Sequence, residues 1–294
     1  MARVLTILSA GLGNIIEATP MVAAIESMGH DIVVALNSNW PDVEKLLPWP
    51  AGDLAKGIDT SGCAIVALSF WASRYSLPET TPAGEKIKVY RTRLSATEFS
   101  EVECNMDVVR QLGYCGETPP PKLKEPDVPN PVEYSRYAVV APGFQKATTH
   151  ADWRNKAYPR WNEVLELLDI PTVVVGTKDE NEDWCERAEL NLCGKTDILQ
   201  LAKVLHDASV VIAWDNGPAH LADAYQVPTV VLFGPTSTLK NAYYQAKIVF
   251  MPVYDVPCRP CQFDIEKMTS CRDNICMKSI DPKQVVDVAY QIMR

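Results

Sequence analysis

The stretch that most constrains this chain lies in its C-terminal third. Val210-Val211-Ile212-Ala213-Trp214 is a continuous apolar run, the pattern of a parallel strand buried on both faces. It breaks at Asp215-Asn216-Gly217-Pro218-Ala219-His220-Leu221-Ala222. Proline suits the first position of a helix, where an N–H would have no partner, so a helix is expected to open at Pro218. A second apolar run, Thr229-Val230-Val231-Leu232-Phe233, stops at Gly234-Pro235-Thr236. Strand, helix and strand in that order describe a parallel pair with its crossover. A carboxylate, an amide, a glycine and a histidine are thereby collected at a strand-to-helix turn. Open α/β sheets bind ligands there, and the helix N-terminus favours an anion. Plain capping by Asp215 or Asn216, with His220 packed in the first turn, would use the same residues.

The alternation runs through the whole chain. The first half predicts a strand at Arg3–Ser9, a turn at Gly11-Leu12-Gly13, a helix from Asn14 to Met28 and strands at 31–36 and 64–68. A further helix is expected over 97–112. The glycine turn is no dinucleotide fingerprint, because the third glycine would fall at Ile16 and the second strand ends in Asn37, not in an acid. That argues against a nicotinamide-dependent oxidoreductase. Gly11 and Gly13 either serve the tight turn alone or leave room for a ligand to approach the backbone. Lys86, Lys88, Arg91 and Arg93, interleaved with Ile87, Val89 and Tyr90, read as a solvated face or as a surface meeting an anionic acceptor.

Pro119, Pro120, Pro121, Pro126, Pro129 and Pro131 exclude helix and central strand and predict a stiff connector. The expected division is residues 1–116, a linker at 117–136, and 137–294 with a cysteine-rich lobe at 256–278. The second half predicts strands at 137–140 and 172–176, a short strand or turn at 191–195, and helices at 158–168, 180–188, 197–206 and 282–293. The fold class is therefore α/β, with two Rossmann-like parallel-sheet domains.

A net charge of −9 over 294 residues works against non-specific nucleic-acid binding. No apolar run reaches membrane-spanning length, so no integral membrane segment is expected, and a strand directly after Met1-Ala2 makes the cytoplasm the expected compartment. Nine cysteines suit no disulfide framework in such a chain. Cys258-x2-Cys261 and Cys271-x4-Cys276 instead have the spacing of a tetrahedral thiolate site, structural because protein would fill all four positions. Free thiols in a turn-rich lobe, or disulfides in an exported chain, are the alternatives.

Several ordered motifs resemble glycosyltransferase family 9, the heptosyltransferase-like branch of the GT-B glycosyltransferases. They are Gly11-Leu12-Gly13-Asn14 through Thr19-Pro20, Ala141-Pro142-Gly143, and Lys156 before Tyr158-Pro159-Arg160-Trp161. Cys193-Gly194-Lys195-Thr196, Leu201-Ala202, Asp215 to Ala222 and Pro228 to Thr236 complete the set, which covers most of the chain. The resemblance implies two domains facing a central cleft. It also implies inverting transfer of a heptose or related sugar from a nucleoside diphosphate such as ADP-heptose, with no cofactor for catalysis. The acceptor would be a glycan or lipopolysaccharide core. A short N-terminal half leaves a protein side chain or a modified nucleic-acid base open as acceptors.

On the donor side the resemblance implies Gly143, Lys156, Asp215, Asn216, Gly217, Pro218 and His220. Lys156 and the helix N-terminus would stabilise charge on the leaving diphosphate, His220 would donate to phosphate or sugar, and Asp215 would orient the donor. Lys178, Asp179 and Glu180 are placed to meet the nucleoside, or simply to start a helix. The glycine loop would face the acceptor. An aspartate often follows that glycine in the family as general base. Here it is Asn14, which cannot take a proton. Glu17, one turn on, is the substitute, though it equally suits a first-turn acid beside the helix dipole. The cysteine motif resembles an iron- or zinc-holding finger in related sequences. Two other readings stay open: a non-catalytic nucleotide-sugar-binding or assembly protein, and an epimerase, for which no second carboxylate partner is evident.

Overall fold

The computed structural model describes every residue except 1, 39, 57–59, 78, 82–83, 144–152, 181–185, 242–247, 253–255 and 294. The chain divides into two compact units, Met1–Glu125 and Pro126–Arg294. No helix among the described residues is long and apolar enough to cross a membrane.

The first unit contains β1 (Arg3–Ala10), α1 (Leu12–Ser27), β2 (Asp31–Ser38), β3 (Ala51–Asp53), β4 (Ile65–Leu68), β5 (Lys88–Tyr90) and α2 (Glu101–Gln111). The strands form one parallel sheet in the order β3-β2-β1-β4-β5. One face packs Leu5, Ile7, Val33, Ala35, Val66 and Leu68 into a buried cluster. These residues recur at every second position, as the strand period requires.

α1 begins at Leu12, two residues earlier than expected, because Asn14 Oδ1 accepts from the Gly11 N–H at 3.0 Å and sets the helix start there. Pro20 lies inside this helix and cannot donate to the Ile16 carbonyl four residues back. The Thr19 hydroxyl donates to that carbonyl instead, at 2.7 Å. α2 starts at Glu101, not near Thr97, because Ser100 and Glu103 form a reciprocal capping box.

The basic cluster is only partly a solvated face. Lys88 opens a three-residue strand at the sheet edge. The Arg93 guanidinium pairs with Asp107 at 2.7 Å, and Arg91 donates to the carbonyls of Ser73 and Tyr75. The start of the proline-rich stretch lies on this unit. The Lys122 N–H donates to Thr19 Oγ1 at 3.1 Å and the Lys124 N–H to the Leu46 carbonyl at 2.8 Å.

The second unit contains β6 (Ala138–Ala141), α3 (Trp161–Leu167), β7 (Thr172–Val174), β8 (Leu190–Asn191), α4 (Ile198–His206), β9 (Val210–Trp214), α5 (Gly217–Ala224), β10 (Thr229–Phe233) and β11 (Ile248–Pro252), followed by α6 (Ile265–Ser270), α7 (Ile275–Lys278) and α8 (Pro282–Ile292). The sheet is again parallel, in the order β11-β10-β9-β6-β7-β8. Trp161 stacks on Trp214 with centroids 6.0 Å apart, and Tyr158 meets Trp161 edge-on. The helix expected over 180–188 falls largely outside the described residues. β11 was not expected from sequence; it sits at the sheet edge, where its terminal Pro252 need not donate to a neighbour.

In each sheet the chain reverses direction of growth at one place, between β1 and β4 in the first and between β6 and β9 in the second. Such switch points open a crevice at the carboxyl ends of the strands.

Candidate functional site

At the switch point of the second sheet, Asn216 caps α5, its Oδ1 accepting from the Ala219 N–H at 3.1 Å. Its Nδ2 donates to the carbonyls of Ala141 and Gly143, each at 3.0 Å, and so ties the loop after β9 to the end of β6 and the loop that follows it. Gly217 is the first helical residue and Pro218 the second, one place later than expected.

With Asn216 as the cap, Asp215 is available for another task. Its side chain is 3% exposed and accepts from Asn241 Nδ2 at 2.5 Å and from the Thr236 hydroxyl. Lys156 Nζ lies 3.5 Å from Asp215 Oδ2, and His220 Nε2 lies 3.8 Å from Oδ1. Burial pushes the Asp215 carboxyl up, but the Lys156 and His220 charges and its two hydrogen bonds outweigh it and leave the group below its ordinary value. Burial, aided by the Lys240 cation, draws the Lys156 ammonium down, and Asp215 offsets part of that. A buried anion thus holds two cationic or proton-donating groups beside a helix N-terminus, an arrangement suited to receiving developing negative charge.

Gly143 is crowded from the neighbouring loop. A Cβ there would meet the Glu180 carboxylate at 2.1 Å, and Glu180 Oε2 accepts from the Thr177 N–H at 2.7 Å. Glu180 therefore belongs to this cluster, whereas Lys178 and Asp179 stand exposed on a short turn. Lys146, Thr148, Thr149 and His150 of the loop before Lys156 lie outside the described residues.

The cysteine-rich lobe docks on the loop after β10. The Cys261 and Gln262 N–H groups both donate to the Pro235 carbonyl, and Gln262 Oε1 accepts from the Ser237 N–H at 3.0 Å. Arg259 donates to the carbonyls of Gly234 and Phe233. A Cβ on Gly234 would collide with Met277 Sδ at 2.1 Å. Cys258 and Cys271 are half-buried, Cys261 and Cys276 buried, and all four carry free thiols. Burial pushes the Cys276 thiol up to about 11, with Cys261 and Cys258 close enough to add to it. Cys261 lies near Cys258 and Cys271, and Cys276 near Cys261 and Cys258, thiols of the right chemistry for a soft metal. Among the described residues, however, no three His, Cys, Asp or Glu side chains converge as metal ligands.

In the first unit the glycine loop is differently built from the expectation. Leu12 is 1% exposed and turned into the core, which leaves Gly11, Gly13 and Asn14 as the half-exposed members. Asn14 Nδ2 donates to Glu101 Oε1 at 2.9 Å, and Glu101 Oε2 accepts from Trp71 Nε1 at 2.9 Å. Because α1 starts at Leu12, Glu17 lies in its second turn and is no first-turn acid; it is 2% exposed, and its carbonyl accepts from the fully buried Asn105. Glu101 was missed from sequence, where it lay unremarked inside the helix expected over 97–112.

The profile of glycosyltransferase family 9 (heptosyltransferase) matches residues 100–271. The chain belongs to glycosyltransferase family 9. Its curated relatives include lipooligosaccharide heptosyltransferase 2 of Campylobacter jejuni, 32% identical over 104 residues, or 35% of this chain and 32% of that protein. The family 9 chain thus matches about a third of the length of that relative. Among solved structures, E. coli ADP-heptose LPS heptosyltransferase II aligns at a TM-score of 0.70 and 15% identity, covering 99% of this chain and 98% of that one. The iron-containing dodecameric glycosyltransferase TibC from enterotoxigenic E. coli gives 0.71 at 15% identity, covering 99% and 78%. At such identities the likeness establishes the fold, that of GT-B glycosyltransferases, with two parallel-sheet α/β domains.

Proposed function

We propose that this family 9 protein transfers a heptose or related sugar from a nucleoside diphosphate, of the ADP-heptose kind, to an acceptor hydroxyl, with inversion and without a catalytic metal. The observation that carries the reading is the Lys156–Asp215–His220 constellation beside the α5 N-terminus. As the glycosidic bond breaks, its electron pair leaves on the diphosphate. Lys156 and the α5 N-terminus at Gly217 and Pro218 stabilise that charge, and His220 donates a hydrogen bond to phosphate or sugar. Asp215 holds the donor-binding groups in register, and Gly143 and Asn216 shape the turn.

A glycan or lipopolysaccharide core is the proposed acceptor, supported by the names of the relatives, with Gly11, Gly13 and Asn14 on its side. A protein side chain or a modified base is the alternative. The cytoplasm is the proposed compartment, because nucleoside-diphosphate sugars are made there. Cys258, Cys261, Cys271 and Cys276 are proposed to close around a structural zinc or iron, which would supply cross-linking of the lobe and no step of the reaction. The amide at Asn14, where a proton acceptor was expected, favours a second reading, a non-catalytic nucleotide-sugar binder on the same scaffold.

Thermal-shift measurements with a panel of nucleoside diphosphates and their sugars test the reading, on wild type and on Asp215→Ala and His220→Gln. A ligand of the native state raises the midpoint with the logarithm of its saturation. One diphosphate should stabilise the wild type and lose its effect in both variants. An absent response, or one that both variants retain, removes the donor site from this turn.

A further inference from the structure

The switch-point crevice of the first sheet contains a carboxylate that comes from neither of its two strands. The first turn of α1, just after β1, carries Asn14, and the turn after β4 carries Trp71. Glu101, the first residue of α2, reaches between them and accepts one hydrogen bond from each, at 2.9 Å. Both donors are half-exposed, while Glu101 behind them is 1% exposed. The carboxylate is therefore covered by two side chains at the crevice and sits directly beneath them. The covering amide has a fixed orientation, because Asn14 Oδ1 is held by the Gly11 N–H and only its Nδ2 can face Glu101.

We propose that Glu101 is the catalytic residue that takes the proton of the acceptor hydroxyl. This rests on the transferase reading above. A hydroxyl replacing the Asn14 amide at Glu101 Oε1 donates along the same line and preserves that oxygen's hydrogen bond. As the acceptor oxygen bonds to the anomeric carbon, its O–H bond breaks and the proton moves to Glu101. The bond from the anomeric carbon to the diphosphate oxygen breaks in the same step, and its electron pair leaves with the diphosphate. Asn14 has no basic lone pair for this. Glu17, one turn further along α1, is also buried, and its backbone carbonyl accepts from the fully buried Asn105.

The test uses ADP-heptose with lipopolysaccharide cores of graded truncation and follows ADP release and product mass. Glu101→Gln keeps the side chain's shape and should lower kcat by about 100-fold or more, the usual worth of a positioned general base, with the donor-induced thermal shift unchanged. The double variant Asn14→Asp/Glu101→Gln exchanges amide and carboxylate across the same hydrogen bond and should recover at least about ten-fold over Glu101→Gln. Recovery by exchange is not expected of a purely structural contact. A folded Glu101→Gln protein whose kcat stays within about three-fold of wild type overturns the proposal. So does a low-activity Glu101→Gln variant that the exchange leaves unrescued. Wild type that binds diphosphate but releases no ADP with these cores, with protein acceptors or with nucleic acid overturns the transferase reading, and the assignment of Glu101 with it.

Discussion

The Lys156 ammonium lies 3.5 Å from the Asp215 carboxylate and donates to the backbone carbonyl of Asp215 at 2.9 Å, so one residue grips the cation twice. The backbone contact would survive loss of the carboxylate, but the charge would then be buried without its anion. Breaking such a pair from one side costs about 3–5 kcal/mol. Asp215→Asn should lose stability on that scale in urea unfolding. Lys156→Met/Asp215→Leu should recover most of it while giving no response to diphosphate, which separates the pair's role in folding from its role in binding.

The same carboxylate gives acid sensitivity a direction. Asp215 titrates below its ordinary 3.8 in the folded chain, as do Asp107 and Asp207. Between the folded and unfolded values the unfolded chain binds more protons, so their contribution is complete above about pH 4 and is lost as pH falls through the folded values. Unfolding free energies measured from pH 6 down to pH 2.5 (roughly the span of these groups) should drop steeply below pH 4, and less steeply in Asp215→Asn.

Asn14→Asp alone would set a second carboxylate at hydrogen-bonding distance from Glu101 and remove the donor between them. We expect destabilisation of about 2 kcal/mol at neutral pH, relieved when Glu101→Gln is added. A double-mutant cycle on the thermal midpoint measures that coupling without any activity assay. Additive effects would show that the two side chains do not act on one another.

The lobe's attachment to the loop after β10 predicts that its chemistry reaches the turn at Asp215. Elemental analysis should find about one zinc or iron per chain, as a closed four-thiolate site requires. Chelation should lower both the thermal midpoint and the diphosphate response. Gln262→Ala, which removes the acceptor for the Ser237 N–H, should weaken the diphosphate response with a stability cost near 1 kcal/mol. Metal-free protein with an unchanged diphosphate response would separate the lobe from the site.

Much of this was readable in the sequence because parallel strands covered on both faces are written as unbroken apolar runs. β9 and β10 fall where Val210–Trp214 and Thr229–Phe233 announce them, and the turn between them carries the polar cluster. Edge strands carry no such signature: β3 and β5 are three residues each and only half-buried. The start of α4 was legible at Asp197, since capping is local, and its side chain accepts from the Gln200 N–H. The contact between Asn14 and Glu101 spans 87 residues, and no local pattern encodes it. Asn216 shows both sides: its capping was one of two readings of the sequence, while its bonds to Ala141 and Gly143 depend on β6 and β9 becoming neighbours.

Among the described residues the Asn216 side chain makes three hydrogen bonds, and all end on main-chain atoms: one in its own helix, one on Ala141 at the end of β6 and one on Gly143 just after it. The turn is thus wired through one side chain to the main chain of its neighbours. Its shape is settled when the unit folds, so a ligand docking there loses little further conformational freedom. Under the proposed reading, discrimination between one nucleoside and another would then fall to the rim, where Lys178 and Asp179 stand exposed.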